Sequence, residues 1–65
     1  MTANQKRLRD KYTRISKIGG NWTTFLSVGS QEFHVVDGTE KARAKWYADM
    51  LAIALENLIN EEATK

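Results

Sequence analysis

The side chain that most often serves as a general base at neutral pH occurs once in this chain, as His34. Nucleophilic catalysis needs such a base beside an activated Ser, Thr or Cys, together with a third group that orients the base. The chain has no Cys, and nothing in its sequence places an orienting partner next to His34. Two adjacent acids, Glu61 and Glu62, fall at the end of a predicted helix, where solvating charges are expected. The sequence therefore predicts a protein that is not an enzyme.

Cofactor and metal sites also have characteristic residue patterns, and these patterns do not occur here. Gly19-Gly20 is not followed by the Lys and hydroxyl residues of a phosphate-binding loop, and Gly29 and Gly38 are isolated. One His without any Cys is not a ligand set typical of a structural zinc site. We therefore expect no cofactor and no metal.

Positive charge is concentrated in the first eighteen residues, where Asp10 is the single acid. The cations of this segment are Lys6, Arg7, Arg9, Lys11, Arg14 and Lys17. A basic terminal segment is typical of a solubilising tail or of a contact with nucleic acid. We expect residues 1–11 to form a flexible basic arm and residues 12–65 to form a single small α+β domain.

A helix is the alternative for the N-terminal segment. Thr2 could cap its start, Leu8, Tyr12 and Ile15 have helical spacing, and Gly19 could end it. Residues 12–18, however, are rich in β-branched and aromatic side chains and run directly into Gly19-Gly20, which favours a strand and a hairpin turn.

Size and composition also bear on location and assembly. A chain of 65 residues buries a thin core, so oligomerisation would stabilise it, and a homodimer is one expectation. It contains no apolar run of 18 residues, no apolar N-terminal run and no Cys. We expect a cytoplasmic protein without a membrane partner.

The C-terminal part of the chain predicts one long helix. From residue 39 onward there is no Gly or Pro, and Ala, Leu, Met, Glu and Lys dominate. Asp37 or Thr39 is expected to cap a helix over about residues 39–61.

Two turn signals divide the preceding segment into three strands, over about residues 12–18, 22–28 and 31–36. Gly19-Gly20 and Gly29-Ser30 are typical two-residue hairpin turns. The fold class is therefore α+β, with a three-stranded antiparallel sheet packed on one C-terminal helix.

The second turn predicts a register and a core. A two-residue turn at Gly29-Ser30 pairs Val28 with Gln31, Leu26 with Phe33 and Thr24 with Val35, with Trp22 on the same face. The residues expected to be buried together are Leu26, Phe33, Val35, Leu51, Leu55 and Leu58. The other face of the sheet has no second helix to cover it.

The apolar face of the predicted helix is wider than one small sheet can cover. Trp46 and Ile53 lie two turns apart at one margin and flank Met50, and aromatic and Met side chains are enriched at protein interfaces. We expect this strip to be a self-association or target-binding surface. Phe25, His34 and Arg14, on the uncovered sheet face, form a second candidate surface.

The second half of the chain resembles a group of small bacteriophage and mobile-element proteins. The segment from Phe33 to Gly38 ends a hairpin and leads into a helix with the motif W-x-x-x-M-L-x-x-A-L, which begins at Trp46. The resemblance implies a phage-encoded protein that acts in the host cytoplasm on a host protein. The group includes inhibitors of bacterial defence, such as anti-CRISPR proteins, which act by occupying a surface of their target.

A basic arm, three strands and a helix also resemble the arm-binding domain of tyrosine-type phage integrases and, more distantly, AP2-type domains, which lay a sheet in the major groove. This alternative implies double-stranded DNA binding. Donors to bases and phosphates would come from the sheet, at Arg14, Thr23, Ser27 and His34. The arm would neutralise backbone charge through Lys6, Arg7, Arg9 and Lys11. Glu32, Phe25 and Val36 on the proposed reading face depart from that pattern.

Overall fold

The computed structural model describes residues 1–64 and shows an α+β fold. Its elements, in chain order, are α1 (Ala3–Tyr12), β1 (Thr13–Ile18), β2 (Asn21–Val28), β3 (Gln31–Gly38) and α2 (Lys41–Ala63). The strands form one antiparallel sheet in the order β1-β2-β3, and α2 packs on it. The predicted three-stranded sheet and C-terminal helix are confirmed. No helix of the described residues is both long and apolar enough to cross a membrane.

The N-terminal segment is a helix, so the expectation of a flexible arm is wrong for residues 3–11, and Tyr12 ends this helix instead of beginning the first strand. A capping box starts α1: the Thr2 hydroxyl accepts a hydrogen bond from the Gln5 N–H at 3.1 Å, and the Gln5 carboxamide accepts one from the Thr2 N–H at 3.0 Å. Leu8, 2% exposed, fixes the helix in the core. The helix ends before Gly19, because Thr13 is already extended and begins β1.

Both hairpin turns form as the glycine signals predict. Gly19 and Gly20 both have positive φ, at 57° and 86°, and Gly29 has φ of 61°. Glycine takes these values without the steric cost of a side chain.

The register between β2 and β3 is as predicted near the turn and shifts farther along. Val28 pairs with Gln31 and Leu26 with Phe33, as expected. A β-bulge then makes Thr24 pair with Val36 instead of Val35. Val35 is therefore an extra residue in β3, 46% exposed, and the neighbouring Val36 takes the partly buried position.

Small side chains form the centre of the core. One side of α2 presents Ala44, Ala48 and Ala52, which are at most 3% exposed. Because alanine keeps the helix backbone close to the sheet, the Thr24 hydroxyl reaches the Ala44 carbonyl oxygen and donates a hydrogen bond of 3.2 Å.

Of the six residues predicted to be buried together, three are not buried. Leu26, Leu51 and Leu55 are partly buried, whereas Phe33, Val35 and Leu58 are about half exposed. The bulge displaces Val35. Phe33 lies on an edge strand, and Leu58 lies near the C-terminal end of α2, past the buried Ala44, Ala48 and Ala52.

Helix α2 begins two residues later than predicted, and its cap differs. Glu40 is the N-cap residue, and its side chain makes no capping hydrogen bond. Asp37 does not cap the helix, because its carboxylate accepts hydrogen bonds from Thr23 and His34 on the sheet.

Candidate functional site

One face of the sheet is left open by the two helices. Thr24 and its neighbours of the same face pack on α2, and α1 lies beside α2 on that side. No element of residues 1–64 covers the opposite face, which we call the open face. Its side chains come from all three strands, at Arg14, Ser16, Thr23, Phe25, Ser27, Glu32, His34 and Asp37.

The side chain of Arg14 is held across the open face by two kinds of contact. Its guanidinium donates two hydrogen bonds to the Glu32 carboxylate, Nε to Oε2 at 2.8 Å and Nη2 to Oε1 at 2.6 Å. Its Cζ atom also lies 4.5 Å from the centroid of the Phe25 ring. A planar guanidinium can satisfy a carboxylate and stack on an aromatic ring at once, which lysine cannot do. Ser27 donates a further hydrogen bond to Glu32.

A second polar group continues from the same aromatic ring. The His34 ring lies 5.6 Å from the Phe25 ring, tilted by 42°, and its Nε2 is 2.7 Å from Asp37 Oδ1. The Thr23 hydroxyl donates to the same carboxylate oxygen at 2.6 Å. Asp37 thus joins β2 and β3 through side chains.

The bulge at Val35 brings His34 and Asp37 together on the open face. His34 and Asp37 are three residues apart, an odd separation that puts side chains on opposite faces of a regular strand. The extra residue brings Asp37 to the same face as His34, where Asp37 is the cross-strand partner of Thr23. Sequence analysis missed Asp37 for this reason, although a carboxylate three residues from the single His was a visible signal.

Hydrogen bonding keeps both carboxylates ionised. The guanidinium of Arg14 lowers the pKa of Glu32, and the hydroxyl of Thr23, followed by His34, lowers the pKa of Asp37. In turn, Glu32 raises the pKa of Arg14. The open face therefore carries one guanidinium and two carboxylates at neutral pH, which is not a cationic surface.

The order of the polar groups does not match a catalytic triad. In a triad, the imidazole lies between the hydroxyl and the carboxylate, so that it can take the hydroxyl proton. Here the carboxylate of Asp37 lies between Thr23 and His34. The imidazole is therefore not placed to take the proton of the Thr23 hydroxyl. Within the described residues there is also no group of three or more His, Cys, Asp or Glu side chains placed to hold a metal ion.

The predicted apolar strip lies on the solvent side of α2. Trp46 is 49% and Met50 39% exposed, and Ile53 is partly buried. The Trp46 ring makes an edge contact with Tyr47, at 5.2 Å between centroids. This strip and the alanine side of α2 point in nearly opposite directions, so the strip and the open face lie on opposite sides of the molecule.

The predicted nucleic-acid residues do not form one surface. Lys6, Arg7 and Lys11 are exposed on α1, but Arg9 turns inward and pairs with Asp49 at 3.0 Å. Arg14 lies on the open face, across the sheet from α1.

A separate basic cluster surrounds Trp22 on the helix side. The Nζ atoms of Lys17 and Lys41 lie 6.0 and 5.2 Å from the centroid of its ring. Sequence analysis did not single out this cluster, because it depends on where α2 starts relative to β1.

Comparison of the chain with protein-family models, with curated proteins and with solved structures finds no match.

Proposed function

We propose that this protein is a non-catalytic protein-binding module whose open face contacts the partner. One observation carries the proposal: Arg14, stacked on Phe25 and bonded twice to Glu32, is fixed on a sheet face that no described element covers. Arginine and aromatic residues are enriched in the energetic centres of protein interfaces. A surface ordered before binding loses less conformational entropy when a partner arrives.

The chemistry of the open face favours protein over nucleic acid. Binding to a phosphate backbone depends on cations that can replace its counterions. The guanidinium of Arg14 is already neutralised by Glu32, and Asp37 adds a second negative charge. A protein partner, in contrast, can pair with Glu32 and Asp37 through its own donors.

The partner class follows from the resemblance of the hairpin and α2 motif to phage and mobile-element proteins. The target is a bacterial host protein, and the action is inhibition of a defence protein by occupying its surface, as anti-CRISPR proteins do. The cytoplasm of the host is where this partner would be met.

A pull-down from bacterial lysate, with and without nuclease, tests the proposal. We expect one nuclease-insensitive protein to be recovered by the wild type and lost with Phe25→Ala and Arg14→Ala. Gln31→Ala, at the exposed end of β3, is the matched control and should retain the partner. Recovery that disappears with nuclease, or that survives both open-face substitutions, contradicts the proposal.

DNA binding is the second candidate, and one observation favours it. Lys6, Arg7 and Lys11 are exposed along α1, so three cations can meet phosphates from a single rigid element. Arg9 and Arg14 are excluded from this surface by their partners Asp49 and Glu32.

If α1 makes about three phosphate contacts, the logarithm of the affinity should fall against the logarithm of the salt concentration with a slope of about −3. Replacing Lys6, Arg7 and Lys11 by Gln should flatten that slope in a fluorescence titration of duplex DNA. Lys45→Gln is the control on α2. Absence of duplex binding at low salt would remove this candidate.

A further inference from the structure

The solvent side of α2 carries a seam of residues spaced alternately three and four apart. Its members are Arg43, Trp46, Met50, Ile53, Asn57 and Asn60. This spacing averages 3.5 residues, the period that keeps one line of side chains against a second helix. From Arg43 to Asn60 the seam extends about 26 Å at 1.5 Å per residue. Its three large apolar side chains lie together in the middle.

The charges of α2 run against its own dipole. The basic side chains Lys41, Arg43 and Lys45 lie near its start, and Glu56, Glu61 and Glu62 lie toward its end. The first turn contains no acid and the last turn no base, which is the reverse of what the macrodipole favours. A second helix running in the opposite direction would place its acidic end beside this basic start, and would offset both dipoles.

We infer that this seam binds the same seam of a second copy of the chain, with the two α2 helices antiparallel. In this register Met50 packs against Ile53 of the second copy, Trp46 against its Asn57, and Arg43 against its Asn60. The guanidinium of Arg43 then lies within reach of Glu61 of the second copy. Each of these contacts occurs twice, because the pair is related by a two-fold axis.

The charge pattern selects this arrangement over a parallel pair. A parallel pair would place Arg43 beside Arg43 and Glu61 beside Glu61, so both ends would repel. One helix pair is small for a specific interface, and the two Asn positions lie in the seam. The dimer therefore dissociates in the micromolar range, and a concentration series can follow it.

The dimer places the two open faces on the outside. The seam points away from the sheet, whereas Ala48, only 1% exposed, points toward it. Pairing through the seam therefore buries the two helical layers between two sheets. Each open face remains accessible, so one dimer presents two copies of the same binding surface.

The first test is the mass of the wild type by sedimentation equilibrium over a range of concentrations. We expect the mass to rise from one chain to two. Ile53→Asp puts two carboxylates into the middle of the seam and should raise the dissociation constant about a hundredfold. Trp46→Ala, at a half-exposed position, should weaken the dimer while the circular dichroism spectrum stays unchanged. Thr39→Ala, outside the seam, is the control.

The second test reverses the charges at the two ends of the seam and shows whether the two α2 helices are antiparallel or parallel. Arg43→Glu should weaken the dimer about tenfold, because like charges then meet at both ends. Combining it with Glu61→Arg should restore the wild-type constant in an antiparallel pair. In a parallel pair like charges already face each other, so neither the single nor the double variant should change the constant.

A wild type that stays monomeric at every concentration overturns the inference, as does a double variant no tighter than Arg43→Glu alone. If the wild type is monomeric and Ile53→Asp loses the protein partner, the seam is the target surface. In that outcome a protein-binding function stands, whereas the dimer and the open face as the contact surface are both wrong.

Discussion

At the scale of single residues, the open face depends on side chains that each satisfy more than one neighbour. Arg14 serves both Glu32 and the Phe25 ring, and Asp37 accepts from both Thr23 and His34. Such groups order one another, because rotating one side chain breaks at least two contacts. The two hairpin turns align Arg14, Phe25 and His34 across the three strands, so this alignment could be predicted from the sequence. The position of Asp37 did not follow, because it requires the bulge.

Acid should weaken the contribution of Glu32 to stability. Its pKa is lowered in the folded state, mainly by the hydrogen bond from Arg14, so the stabilisation exists above the unfolded-state pKa and is lost as the pH falls through the folded-state pKa. We expect wild type to have a higher urea midpoint than Glu32→Gln at about pH 6, and the two midpoints to converge as the pH falls below the ordinary range of a glutamate pKa. Glu40→Gln, outside the open face, is the control. A gap between wild type and Glu32→Gln that is constant with pH would exclude this role.

At the scale of elements, α1 shows where local signals compete. Thr2 and Gln5 form the capping box, and the residues between them favour a helix, yet Thr13 to Ile18 favour a strand. The helix signal is correct up to Tyr12, and the strand signal is correct from Thr13 onward. Packing on α2 stabilises the helix, through Leu8, the Arg9–Asp49 ion pair and the hydrogen bonds of Asn4 and Gln5 to Glu56. Asp49 and Glu56 cannot be recognised as docking residues until α1 is known to be a helix.

Substitutions in α1 should measure that docking. Leu8→Ala removes a buried side chain and should lower the free energy of unfolding by about 3 kcal/mol. Thr2→Ala removes the capping hydrogen bond and should lower it by about 1 kcal/mol. Lys6→Ala, on the solvent side of α1, is the matched control. Urea midpoints that stay unchanged in both variants would mean that the N-terminal segment contributes nothing to the folded domain.

At the scale of the whole molecule, the layered arrangement was largely predictable and its inner surface was not. The glycine turns and the long C-terminal helix predict a sheet with one helix-covered face. The sequence did not show which residues occupy the centre of the core, because large apolar residues such as Phe33 and Leu58 are the expected core members. The central positions are taken by Ala44, Ala48 and Ala52, and the backbone of α2 comes close enough for the Thr24 hydroxyl to donate to the Ala44 carbonyl oxygen. The larger apolar side chains were thereby left on or near the surface.

The bulge at Val35 also affects how the sheet meets other chains. Strand β3 is an edge, and a regular edge offers a row of free N–H and C=O groups on which a strand of another molecule can add. The extra residue interrupts the spacing of those groups in the middle of β3. Strand β1, the other edge, is six residues long and carries Arg14 and Lys17. An added strand would find a continuous ladder at neither edge for more than a few residues, which protects the sheet against open-ended growth and aggregation.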